Sequence, residues 1–255
     1  MRARIIIKTT EQLNSNHKEQ MWSVYQNFYH YSKESFMMRF EKNTHYALYL
    51  SKTQLIGFTG LRIENPIIKN KKRLLIYFGQ TVVHPKYRGQ SLFRRTGLIL
   101  LCKYFLSILD SKIYFWADTL SYKAYLSFSK SVKTCYPSRL QLLTPEIQVV
   151  RDYLGNKYYG LNYCRQSGTI QKDRVLVNDH LVSIRPKALI DPDVKFFIQI
   201  NPKHEIGNGL LTVAEFKPSD IGFALFRMLK KQYLRQISQA RSMVKSYFRP
   251  LNLYN

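Results

Sequence analysis

The sequence predicts an α/β fold, a mixed sheet flanked by helices, from three observations. Apolar residues switch between a period near two and a period near 3.6 along the first half of the chain. Residues 73–109 run from an apolar, aromatic stretch through a basic turn into a longer apolar stretch, which reads as strand, loop, helix. With 45% hydrophobic and 14% aromatic residues, the 255-residue chain has the material for a sizeable core and is not a disordered polymer.

Residues 4–8 form a short β-branched strand. Leu13, Met21, Val24, Tyr25 and Phe28 recur at helical spacings across residues 10–31, and the helix is expected to continue through Met38. Residues 45–50 and 55–63 are strands joined as a hairpin, and Asn65-Pro66 with the basic run 69–73 makes a loop whose charges are solvated. The central strand ends at Val83, where His84-Pro85, read as structural, breaks it. In the helix that follows, Thr96, Lys103 and Ser107 share one narrow polar stripe, so the helix should be buried on most sides. Residues 112–117 are the next strand and 120–130 the next helix. Thr144 caps a helix over 145–154 with Pro145 at its first position. Residues 174–177 and 196–200 read as strands, and Gly207-Asn208-Gly209 as a turn before a strand at 210–213.

A C-terminal helix starts at Ser219, with Asp220 in its first turn and Ile221, Leu225, Met228 and Leu229 on one face. Arg227, Lys231 and Arg235 follow one another at every fourth position, as do Arg241, Lys245 and Arg249. That helix is either packed with a solvated basic side or a binding surface. The expected division is a core at 1–143 and a C-terminal α+β extension at 144–255 that packs on it and ends in this basic amphipathic helix.

Forty Lys and Arg against 16 Asp and Glu give a net charge of +24, which would draw in nucleic acid, an anionic membrane face or an acidic protein. Cys102, Cys135 and Cys164 are an odd number without close pairs, and the six histidines have no ligand spacing, so neither a disulfide framework nor a metal site is expected. A reducing, cytoplasmic setting fits this usage. The N-terminal apolar run is too short for a signal segment, and no stretch is long and apolar enough to be a transmembrane helix.

The turn at residues 84–91 points to an anion. The first turn of a helix has unpartnered N–H groups and the positive end of a dipole; Arg88 adds charge and Gly89 lets the backbone approach. The alternative is a plain strand-to-helix connection with a solvated Arg. The run Val83-His84-Pro85-Lys86-Tyr87-Arg88-Gly89-Gln90-Ser91-Leu92-Phe93 resembles the V-x-P-x-x-R-G-x-G-x-G/A signature of the GCN5-related N-acetyltransferase (GNAT) superfamily, with Ser91 where Gly is usual and Phe93 where Gly or Ala is usual. The resemblance covers roughly residues 4–135.

This resemblance implies a GNAT-like acyl-CoA N-acyltransferase fold, with the acyl arm entering where two strands splay apart. It implies that the backbone at Thr81, Val82 and Val83 pairs with the pantetheine arm of coenzyme A, and that amides of Arg88, Gly89, Gln90, Ser91, Leu92 and Phe93 take the pyrophosphate. Residues 121–128 resemble the family's N-x-x-A-x-x-[LF]-Y, with Ser121 in place of the cofactor-binding Asn and Phe128 in place of the Tyr that protonates the leaving thiolate. With that acid missing, Tyr125, on roughly the same helix face, is a candidate acid or else a core aromatic. Asp118, at the end of the preceding strand, is the acidic candidate or else an N-cap.

The expected activity is transfer of an acetyl or longer acyl group from acetyl-CoA or another acyl-CoA to a primary amine, on a small-molecule or macromolecular acceptor. Two alternatives stand beside it. One is a donor carried by an acidic acyl carrier protein. The other is a non-catalytic basic protein of this fold that binds nucleic acid.

Overall fold

The central strand is apolar on both faces because both are covered. In β5 (Lys71–Val83), Leu74, Ile76 and Phe78 join one core with Leu92, Leu100 and Leu101, while Leu75 and Tyr77 join another with Ile147, Val150 and Leu154. The neighbouring strand β6 (Lys112–Thr119) repeats the alternation, with Ile113 and Phe115 on the first side and Tyr114 and Trp116 on the second. A strand buried on two sides keeps no polar face, so its period-two signal dissolves into an apolar run.

The computed structural model describes residues 2–29, 32–172, 184–217, 220, 222, 233 and 236–238. The remaining strands are β1 (Arg4–Thr9), β2 (His45–Ser51), β3 (Gln54–Glu64), β4 (Ile67–Ile68), β7 (Thr134–Tyr136), β8 (Thr169–Ile170) and β9 (Gly209–Phe216). They form one mixed sheet in the order β1-β2-β3-β5-β6-β9-β7, with β4 on β5 and β8 on β9. From β1 to β5 neighbours are antiparallel; β5 and β6 are parallel; β9 lies antiparallel to both β6 and β7.

The helices are α1 (Ser15–Tyr25), α2 (Lys33–Met37), α3 (Leu92–Lys103), α4 (Tyr122–Ser129), α5 (Pro145–Tyr159) and α6 (Pro192–Ile200). The core containing Leu92, Leu100 and Leu101 of α3 lies on one face of the sheet, and that containing Ile147, Val150 and Leu154 of α5 on the other. Met21, Tyr25 and Phe36 of α1 and α2 pack on Tyr46, Leu48 and Phe58, and Val194 and Phe197 of α6 pack on Tyr122 and Tyr125 of α4. The fold is therefore α/β, a mixed sheet flanked by helices.

Several elements differ from their sequence expectation. The helix expected over residues 10–31 and onward is split in two: Asn14 caps α1 by accepting from the His17 amide at 2.9 Å, and Ser32 caps α2 by accepting from the Ser35 amide at 3.1 Å. The basic run near Lys69 is a tight hairpin. Lys69 and Asn70 both take positive φ, 47° and 60°, which matches the twist of flanking strands and lets Ile67 pair with Lys72. Thr96 is no part of an outer polar stripe; it is fully buried, giving its hydroxyl proton to the Leu92 carbonyl at 3.0 Å and lying 3.1 Å from the Tyr49 hydroxyl.

Residues 196–200, expected as a strand from their Phe and Ile content, belong to α6. Asp191 accepts from the Asp193 amide there and Pro192 opens the helix, so local cap chemistry outweighs β propensity. Strand β9 comes from beyond residue 143 and sits between β6 and β7, so the sheet crosses the boundary expected between core and extension. The strand expected at 174–177 and nearly all of the basic C-terminal helix, including Arg227, Lys231, Arg235, Arg241, Lys245 and Arg249, lie outside the described residues.

Candidate functional site: a cleft between diverging strands

Strands β5 and β6 keep parallel register from Arg73 and Lys112 to Tyr77 and Trp116, and there it stops. Two causes part them. In β5, Phe58 pairs with Val82 but Gly60 with Gly79, so Gln80 and Thr81 together oppose Thr59, and Gln80 takes a left-handed φ of 48°. Such a bulge bends its strand and sharpens the local twist. Strand β6 meanwhile follows β9, pairing on to Thr119 and Leu210. The gap is a cleft of about 350 Å³, walled by the β5 segment from Tyr77 to Val83, by Ala117, Asp118 and Thr119, and from above by Phe28, Arg39, Arg88 and Lys123.

Left-handed backbone at a non-glycine residue costs about 1–2 kcal/mol, and the surroundings of Gln80 hold it there. Its side-chain oxygen accepts from the Asn43 amide at 2.9 Å and from the Tyr46 hydroxyl at 3.2 Å, and the same Asn43 amide reaches the Tyr46 oxygen at 2.9 Å. Burial holds the Tyr46 phenol protonated. The second bulge residue is tied through hydroxyls, Thr81 to Thr59 at 3.1 Å and Thr59 to Tyr49 at 2.7 Å, and Tyr49 in turn meets Thr96 of α3. The bulge is thus fixed both to α3 and to the loop before β2.

The opposite wall carries charge. Asp118 stands at the end of β6 and accepts from the Tyr77 hydroxyl at 2.7 Å on one oxygen and from Lys172 on the other. The side chains of the pair are only 10% and 6% exposed, which makes it a buried salt bridge. Lys172 also lies 5.4 Å from the Tyr159 ring centre, and burial, then the Asp118 carboxylate, pushes the Tyr159 hydroxyl well above its ordinary range. Gly79 makes room for this network, because a Cβ there would stand 2.2 Å from the Tyr77 oxygen.

The basic turn lies at the mouth. Gly89 and Ser91 take left-handed φ of 81° and 57°, curling the chain into α3, and Ser91 makes no side-chain capping bond to the helix. The first-turn amides of α3 therefore lack a side-chain cap at Ser91. Arg88 donates from Nε to the Val83 carbonyl at 3.2 Å and lies over the Phe28 ring at 5.4 Å. A shallower pocket lined by residues 87–94 shares Thr81, Val83, Arg88, Phe93 and Ser127 with the cleft, so turn and cleft adjoin. Partial burial, then Arg185 and Arg88, lowers the pKa of the Lys123 ammonium.

Of the residues singled out from sequence, Thr81, Val82, Val83, Arg88, Phe93, Asp118 and Ser121 line the cleft, and Gly89, Gln90, Ser91 and Leu92 line the adjoining pocket. The Gln90 side-chain oxygen is occupied, accepting from the Ala3 amide at 2.9 Å. Ser121, not Asp118, is the N-cap of α4, accepting from the Ala124 amide at 3.3 Å. Tyr125 is not among the residues lining the cleft. It is 1% exposed, donates to the Pro137 carbonyl at 3.0 Å, and burial pushes its hydroxyl above the ordinary range. Lys172, Arg39, Asn43 and Lys123 were missed, since they meet the cleft through packing of segments distant in sequence and no residue pattern marks them. Among the described residues no group of three or more His, Cys, Asp or Glu is placed to hold a metal, and no helix is long and apolar enough to cross a membrane.

No family model matches the chain, and no curated protein matches it. Solved structures do. One is a conserved protein of unknown function from Enterococcus faecalis, at 15% identity and TM-score 0.37, over 53% of this chain; the chain spans only 34% of that protein's length. A second is a GNAT-family N-acetyltransferase from Escherichia coli in complex with CoA, at 15% identity and TM-score 0.35, over 47% of this chain and 63% of that one. A third is an aminoglycoside acetyltransferase from an uncultured soil sample in complex with sisomicin, at 15% identity and TM-score 0.37, over 56% and 93%. These are likenesses over about half of this chain. The strand order, with the parallel β5–β6 pair and its splay, makes a mixed α/β sheet flanked by helices.

Proposed function

We propose that the protein is a member of the GNAT superfamily and transfers an acyl group from acyl-CoA to a primary amine, with the donor's pantetheine arm lying in the β5–β6 cleft. The observation that carries this is the splay: past Tyr77 the register with β6 stops, so among the described residues the backbone groups of 78–83 that point away from β3 have no strand partner on that side. An extended amide-bearing chain satisfies such an edge as a further strand would. The arm then leads to the turn, where α3's first-turn amides and Arg88 meet a pyrophosphate.

In the transfer the amine nitrogen forms its bond to the thioester carbonyl carbon, the C–S bond breaks, and the thiolate leaves with a proton while the nitrogen loses one. An amine attacks only when neutral, and Arg39, Arg88 and Lys123 around the cleft raise the local positive potential, which disfavours its protonated form. Among the described lining residues Asp118 is the sole carboxylate. Held by Tyr77 and Lys172, it acts as a positioning group for polar atoms at the cleft floor rather than as a free base. Tyr125 is assigned to the core and not to the role of acid.

Calorimetry with acetyl-CoA tests the reading. Arg88→Glu sets a negative charge against the pyrophosphate and should weaken binding by about 2–4 kcal/mol. Absence of any heat or thermal shift with acetyl-CoA and with longer acyl-CoA esters for the unaltered protein would overturn it. A carrier-protein donor or a nucleic-acid partner rests on net charge alone, and the C-terminal basic helix expected to recruit either lies outside the described residues.

A further inference from the structure

Phe93 and Phe128, two of the departures from the signature, touch each other. Their ring centres are 4.9 Å apart, and Phe78 of β5 closes a triangle with them, 4.8 Å from Phe93 and 6.1 Å from Phe128. One side of this triangle lines the cleft. The other lines a second, smaller pocket of about 40 Å³ beside α3, open in part to solvent and bounded by Gly97, Leu101, Phe115, Val132, Ala214 and Phe216. Its two polar neighbours, Arg94 and Ser131, are joined to each other at 2.9 Å. A water's share of liquid volume is about 30 Å³, close to that of one methylene, so a mainly apolar pocket of about 40 Å³ has room for one or two methylene groups.

We propose that Phe78, Phe93 and Phe128 form an aromatic gate between the reaction cleft and this second pocket, that the tail of an aliphatic acyl group passes the gate, and that Phe93 sets the chain length. The donor class is then a straight-chain acyl thioester longer than acetyl. This rests on the acyl-CoA reading above and deepens it. Three rings in tilted and edge contact, on three different elements, reorient by rotation of their side chains alone. Acetyl is too short to reach past a gate it does not touch, whereas each methylene buried beyond the gate should tighten binding about fourfold.

The test is calorimetry of CoA, acetyl-CoA, hexanoyl-CoA and octanoyl-CoA against the unaltered protein, Phe93→Ala and Gly97→Ala. A Cβ at Gly97 would lie 3.5 Å from the Phe115 ring, an ordinary contact, so Gly97→Ala folds while its methyl takes up much of the cavity. The unaltered protein should bind hexanoyl-CoA about tenfold more tightly than acetyl-CoA. Phe93→Ala should move the preference to octanoyl-CoA by a further tenfold, and Gly97→Ala should erase the preference while leaving CoA affinity unchanged. Equal affinity for all the esters in a protein that binds CoA overturns the gate and leaves the acyltransferase reading standing. A chain-length preference that survives Gly97→Ala also overturns the gate. Failure of the unaltered protein to bind CoA at all overturns both.

Discussion

Along β5 the cleft wall is uncharged. A two-residue bulge is pinned by neutral hydrogen bonds from Asn43, Tyr46 and Thr59, and it presents amides and carbonyls. Along β6 the wall is a charge pair, Asp118 with Lys172, steadied by Tyr77 and set against Tyr159. The first wall is built mainly from groups within one run of antiparallel strands, and the second from residues 54 apart in sequence whose meeting depends on β9, β8 and α5. An uncharged wall loses little when one neutral hydrogen bond is removed; a buried ion pair does not tolerate loss of one partner.

That contrast is open to direct attack. Asp118→Asn should destabilise the protein by about 3–5 kcal/mol, because it leaves the Lys172 ammonium buried without its counter-charge. The double variant Asp118→Asn with Lys172→Met should recover most of that loss. Chemical denaturation of both decides the matter, and equal instability of single and double variants would show that the pair's packing, not its charge, matters. Tyr125→Phe should cost about 1–2 kcal/mol, the penalty of leaving the buried Pro137 carbonyl without its donor, with kcat unchanged. A fall in kcat of tenfold or more would instead return Tyr125 to the chemistry.

The smallest effect should fall away from the cleft, at Glu146. There the Arg73 and Lys112 side chains, each 2.6 Å from a carboxylate oxygen, tie the start of α5 to the ends of β5 and β6. The hydrogen bond from Lys112 holds the Glu146 carboxyl below its ordinary pKa despite opposing burial. A folded pKa depressed below the unfolded value of about 4.3 gives stability that is present above that pH and lost as pH falls through the folded pKa. Glu146→Gln should therefore cost about 0.5–1 kcal/mol at pH 7, screened by salt, and the difference from the unaltered protein should begin to shrink near about pH 4.3 and be gone once the pH lies below the depressed folded pKa. A difference independent of pH would assign the effect to packing.

Much of the fold was legible because it is local. The apolar runs at residues 73–83 and 112–117, the Thr144 cap with Pro145, and the Arg88-Gly89 turn each specify conformation through neighbours in sequence, and those elements are where the sequence placed them. The errors also have local causes. The Phe and Ile of residues 196–200 suggested a strand although Asp191 and Pro192 already encode a helix start, and Thr96 was read as solvent-facing because periodicity counts a hydroxyl as polar even when it is buried between the Leu92 carbonyl and the Tyr49 hydroxyl. What the sequence could not hold is which distant segments meet. That β9 would lie between β6 and β7, that Lys172 would face Asp118, that Tyr125 would turn to Pro137, and that Phe93 would close on Phe128 and Phe78 are outcomes of long-range packing, in which the burial of whole faces, and not the preference of any one residue, decides the partner.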